Sequence, residues 1–126
     1  MSTMVCFRAA GAAYCVPLLA TLAVRTAADL ISLPDPAADV AGIIPGDPPL
    51  TVISPLTSDG SYILVIEAHD QTFGLLVDVV TGLRQFDDAE IRPAPRGQGH
   101  PLVSGTVDSG GHLVFVADPT ALAGRL

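Results

Sequence analysis

FGLLVDVVTGLRQFDDAEIRPAP, residues 73–95, decides how the rest of this chain is read. Phe73, Leu75, Leu76, Val77, Val79, Val80 and Leu83 crowd around a single carboxylate, Asp78. Valine at this density suits a buried, pleated strand better than a helix. Thr81-Gly82 breaks the run, residues 83–86 resume it, and Asp87-Asp88 marks a turn. Pro93 and Pro95 then forbid continued ladder pairing, because proline has no N–H to donate. The segment reads as strand, bend, strand, exit. It holds no His and no nucleophile beside a base, so nothing in it is arranged for catalysis.

Working outward, residues 5–8 and 13–16 flank Gly11 and predict a hairpin that Pro17 ends. Residues 18–25 carry Leu18, Leu19, Leu22 and Ala23 at a spacing that predicts two turns of short helix. Residues 28–33 read as a strand stopped by Pro34. Residues 34–49 contain five prolines and two glycines, which predicts a surface loop, the kind of segment where recognition resides. Residues 50–56 and 62–68 are further strands, joined by Thr57-Ser58-Asp59-Gly60. After a loop over 93–101, residues 102–108 and 113–117 form a hairpin around Ser109-Gly110-Gly111. Asp118-Pro119 caps and starts a closing helical turn over 120–126. About nine short strands at roughly ten-residue spacing, with little helix, predict an all-β sandwich or small barrels. Ile63, Val65, Leu76, Val77, Val79, Val114 and Val116 are the expected core.

The chain of 126 residues has room for one compact domain or two small lobes, without metal or disulfide staples. Its 49% hydrophobic content against 15% charged places it among folded proteins, and an apolar chain of this kind is expected to hide surface against a partner. All six basic residues are Arg against 13 acids, a net charge of −7. No basic stripe exists to meet a phosphate backbone, so nucleic acid is not an expected partner. A turn at Ala10-Gly11 would set Cys6 and Cys15 opposite each other. A cross-strand disulfide is one outcome; without secretory context, two reduced core thiols are the expectation. Arg8 and the apolar run after it imitate a signal peptide, but Gly11, Tyr14 and Pro17 interrupt it at hairpin-like places. No segment approaches the roughly 20 apolar residues of a membrane span. The expectation is a cytoplasmic protein without membrane insertion.

His69, His100 and His112 are scattered over turns, with no second His or Cys at metal-ligand spacing. Gly97-Gln98-Gly99 is too short for a dinucleotide loop and follows prolines rather than a strand. Asp78 is expected to accept backbone N–H bonds at a bend rather than to act as a base. No catalytic residue, metal or cofactor is expected.

Four stretches together resemble the CheW family, adaptors that couple chemoreceptors to the histidine kinase CheA. They are Val5-Cys6-Phe7 with Tyr14-Cys15-Val16-Pro17; Leu33-Pro34 with Val40-Ala41-Gly42-Ile43-Ile44; Gly74-Leu75-Leu76-Val77-Asp78 with Val80 and Ile91-Arg92-Pro93-Ala94-Pro95; and Gly105, then Gly111, Leu113-Val114-Phe115-Val116 and Asp118. The resemblance implies a single domain over 1–126 built as two intertwined five-stranded SH3-like barrels with one or two short helices. It also implies a non-catalytic adaptor whose partners are a CheA-like regulatory domain and a chemoreceptor's cytoplasmic tip. The departures are as informative. The family's Asn-Leu-Arg-Gly is replaced by Pro45-Gly46-Asp47-Pro48, so a donor fork becomes an acceptor. Its Pro-Val-x-Asp-Leu becomes Val52-Ile53-Ser54-Pro55-Leu56, and its Val-x-Glu-Val becomes Thr21-Leu22-Ala23-Val24. The candidate partner-binding residues are therefore Ala23, Val24, Ile44, Pro45, Gly46, Asp47, Pro48 and Ser54. The alternative the departures raise is a diverged module with altered or lost receptor coupling, serving as a decoy or as a scaffold in another pathway.

Overall fold

Residues 4–7, 63–66 and 73–77 are buried without a break, and strands read this way when both of their faces are covered. The computed structural model describes residues 1–33, 39–93 and 101–126. Its strands are β1 Ser2–Ala9, β2 Ala12–Pro17, β3 Thr21–Thr26, β4 Val40–Ile44, β5 Leu50–Ile53, β6 Tyr62–Ala68, β7 Gln71–Val77, β8 Val79–Phe86, β9 Arg92–Pro93, β10 Val103–Ser109 and β11 His112–Ala117, followed by the helix α1, Pro119–Ala123. They form a six-stranded sheet in the order β8-β1-β2-β11-β10-β9 and a five-stranded sheet in the order β3-β6-β7-β5-β4. The all-β reading holds. The expected pair of intertwined five-stranded barrels takes the form of two sheets, of six and five strands, that do not close on themselves among the described residues. In the larger, β9 and β8 stand at opposite edges of the order. In the smaller, a lone bridge from Ile31 to Ile43 is what ties the far end of the β3 segment to β4. Gly42 permits that approach, because a Cβ there would run into the Ile31 carbonyl.

The double burial follows from three apolar clusters. Met4 and Cys6 join Cys15, Phe86, Val107, Val114 and Val116 on the six-stranded sheet. Ile44, Val52, Ile63 and Leu76 form the cluster of the five-stranded sheet. Val5, Phe7 and Val16 from one sheet and Leu64, Ile66, Phe73, Leu75 and Val77 from the other share the largest cluster, which welds the two sheets together. Alternate residues of β1 and β7 thus serve two different cores. α1 closes the shared cluster with Leu122 and Ala123; its start is capped as expected, the Asp118 carboxylate accepting from Thr120 N–H at 3.0 Å.

The chain begins in the larger sheet, builds the smaller one with β3–β7, and returns at Asp78. That residue, rather than Thr81-Gly82, is where the central run breaks. Its N–H donates to the Arg8 carbonyl at 2.9 Å. Its carboxylate accepts from Ala10 N–H at 2.8 Å and from the Thr57 hydroxyl at 2.9 Å, so it is the bend acceptor the sequence predicts.

Other expectations need correction. Residues 18–25 are not a helix: a 3-10 turn at Leu18–Ala20 leads into β3, where Thr21, Val24 and Thr26 suit an extended backbone and pairing with β6 decides the outcome. Residues 28–33 hold the end of a second 3-10 turn, Ala27–Asp29, and the Ile31 bridge rather than a strand. β4 lies inside the segment read as a loop, its prolines falling to either side. Arg92–Pro93 does pair, with Thr106 and Gly105. Val79 is 40% exposed, whereas the other expected core residues are buried. Cys6 and Cys15 face each other in the β1–β2 ladder as free, buried thiols. Burial, reinforced by Cys6, pushes the Cys15 thiol up to about 12 against a weak opposing pull from Arg84.

Candidate partner-binding surface

Two free sheet edges lie beside one another. Among the described residues, β3 pairs with β6 alone, and five of its six residues are exposed. β8 is the corresponding edge of the larger sheet. Between them runs a groove of about 270 Å³ lined by Val5, Leu18, Leu22, Val24, Val80 and Leu83, with no charged side chain among the described residues of its wall. Leu22 and Leu83 are 55% and 61% exposed. Leaving such side chains in water forgoes roughly 1.5–3 kcal/mol each, and contiguous exposure of this kind marks an interaction surface.

A backbone irregularity builds one wall of the groove. In the β1–β8 ladder, Cys6 opposes Gly82 and Phe7 opposes Val80, so Thr81 is an extra residue. In a regular strand, Val80 and Leu83, three apart, would face opposite sides. The bulge puts both on the groove side. Gly82, at φ +141°, takes the backbone conformation that other residues rarely adopt.

On the other side of β3 lies the turn joining β4 to β5, which contains a cis Asp47–Pro48 peptide. A mouth of about 450 Å³ opens there, lined by Ala23, Arg25, Pro48, Pro49, Leu50 and Val65. A second, also about 450 Å³, runs past Leu30, Ile31, Ile44, Pro45 and the same Arg25.

The eight candidate residues distribute unevenly. Ala23, Val24, Pro45, Gly46, Asp47 and Pro48 are exposed and gather around β3 and the β4–β5 turn, with Ala23 lining both the groove and the mouth. Ile44 is 1% exposed and belongs to the core of the smaller sheet; the alternation along β4 turns it inward with Gly42. Ser54 sits at the opposite end of β5, its N–H donating to the Asp39 carbonyl at 2.7 Å, and is not brought to the turn. Leu18, Leu22, Val80, Leu83 and Arg25 are not among the candidate partner-binding residues, although the first four stand out in the sequence as apolar positions. The alternation of Leu22 and Val24 was the available signal, hidden by the helical reading of the same residues.

Nothing among the described residues gathers catalytic groups. His69 contacts the Thr120 hydroxyl at 3.1 Å, His112 is exposed on the last hairpin, and His100 and Gly97-Gln98-Gly99 lie outside the described residues. No group of three His, Cys, Asp or Glu side chains is placed to hold a metal among the described residues, and no helix there is long and apolar enough to cross a membrane.

Compared with known proteins, residues 46–126 match the family model described as CheW-like domain. No curated protein matches. Among solved structures, the fold is similar to that of the crystal structure of the scaffolding protein TtCheW from Thermoanaerobacter tengcongensis, with a TM-score of 0.81 over 93% of this chain and 88% of that one, at 21% identity.

Proposed function

We propose, because this chain belongs to the CheW-like domain family, that it is a non-catalytic adaptor of chemotaxis-type signalling, working on the cytoplasmic side and coupling a chemoreceptor tip to the regulatory domain of a CheA-like histidine kinase. The observation that carries the reading is the uncharged groove between the free edges of β3 and β8. An apolar face of a helical receptor tip fills such a groove by the same burial that drives helix-in-groove recognition elsewhere. The regulatory domain meets exposed edges and the β4–β5 turn. The test is a calorimetric titration against the receptor tip and the kinase regulatory domain of the same organism, with Leu83→Asp as the groove variant. Binding by the parent and its loss in Leu83→Asp, with an unchanged melt, is the expected result. Absence of binding by the parent to both partners would sink the reading.

A second reading has its own observation. Asp47 stands exposed beside Pro48, and Pro48 and Ala23 line one mouth, so two of the residues that depart from the family pattern flank the same concavity. This favours a module whose receptor coupling has diverged. Under that reading the chain binds its own partners but binds a receptor and kinase pair from an unrelated system poorly, and Asp47→Arg improves the foreign binding. Tight parental binding to the foreign pair, unmoved by the substitution, would remove the turn from any role in specificity.

A further inference from the structure

We propose that Arg25 is a specificity-determining anchor for a carboxylate that flanks the apolar segment seated in the β3–β8 groove. This rests on the adaptor reading and names the chemistry of the partner. Arg25 lies exposed on β3 at the junction of the two mouths, and no described group gives it an ion pair or a hydrogen bond. Three other arginines of the described residues contrast with it: Arg125 pairs with Asp39 at 3.1 Å, Arg8 donates to the Gly11 carbonyl at 3.0 Å, and Arg84 lies 5.0 Å from the centre of the Phe86 ring; Arg92 is likewise exposed without a described partner, but it stands on β9, at the edge of the larger sheet opposite β8. With no partner among the described residues, the guanidinium at these two mouths is open to pair with an acidic group brought by a partner. Pro48, Pro49, Leu50 and Val65 around it supply apolar walls that shield a guanidinium–carboxylate pair from water and strengthen it.

The two surfaces are continuous across one residue. Ala23 lines the groove and the mouth alike, and its methyl group leaves a low crossing over β3. A partner segment lying in the groove therefore reaches Arg25 with an acidic side chain on its flank.

The experiment titrates the same organism's receptor tip fragment against the parent, Arg25→Ala, Arg25→Lys, Arg25→Glu and Leu83→Asp. Arg25→Ala is expected to weaken binding at least about tenfold at low salt, Arg25→Glu further, and Arg25→Lys to retain part of it because it keeps charge without the planar fork. The gap between parent and Arg25→Ala should narrow as salt rises. Parental affinity in Arg25→Glu, with Leu83→Asp inactive, overturns the anchor and leaves the adaptor reading standing. Failure of the parent to bind either receptor or kinase overturns both.

Discussion

Asp78 shows how much one side chain can hold at a crossing. Its carboxylate joins Ala10, in the β1–β2 turn, to Thr57, in the loop before β6, while its own N–H is tied to Arg8. Asp78→Ala leaves the Ala10 N–H and the Thr57 hydroxyl without their partner, and about 1–3 kcal/mol of stability is expected to go; Asp78→Asn, which keeps an acceptor, should lose less. Urea melts of the three proteins check this, and equal midpoints would show the bend to be held by packing alone. The thiols give a second prediction at this scale. Cys15 is raised from 9.0 to about 12 in the folded protein. A group whose folded pKa lies above its unfolded one stabilises the fold below the unfolded pKa and ceases to do so as pH climbs through the folded one. Stability should therefore fall between about pH 9 and 12, less steeply in Cys15→Ala. Denaturing, non-reducing labelling of fresh protein should find two thiols. No label would mean that the facing pair has been oxidised.

Neighbouring positions on β7 and β8 make the sharpest contrast between elements. Val77, fully buried in the shared cluster, and Val79, 40% exposed, are two residues apart with the same side chain. Val77→Asp is expected not to fold, since an unpaired buried carboxylate costs several kcal/mol, of the order of a domain's whole stability. Val79→Asp should stay within about 0.5 kcal/mol of the parent. Thermal melts of both variants test the placement of the break at Asp78, and similar melts would refute it. The sequence made the strands of the core legible because runs such as residues 63–66 are apolar without interruption, and it made the Asp118 cap and the glycine hairpins legible because turn chemistry is local. It hid β3 and β4 for a physical reason. An edge strand exposed on both faces carries no burial period, and β4, flanked by prolines, is held by pairing with β5, a partner known only once the chain has folded. The candidate surface was legible at Ala23, Val24 and the β4–β5 turn, whereas the groove depends on two edges distant in sequence and on a one-residue bulge that no periodicity displays.

At the scale of the whole molecule, the same arrangement separates stability from recognition. The clusters that weld the sheets are confined to inward faces, so changes at Arg25, Asp47 and Leu83, all exposed, should alter binding while leaving the melt in place. A variant carrying Asp47→Arg and Leu83→Asp together is expected to unfold within about 1 kcal/mol of the parent; a large loss would show that the groove and turn also brace the fold. The parallel ladder between β2 and β11, which sets Ala13 beside Val114 and Cys15 beside Val116, bears on biosynthesis. The first hairpin leaves the ribosome long before the strand that covers its flank. For most of translation, the outer N–H and C=O groups of β2 have no partner, a template for pairing with a neighbouring nascent chain. Ribosome-stalled chains ending at Ser109 should therefore remain open to protease within residues 2–17, and should close only when the final hairpin has cleared the exit tunnel.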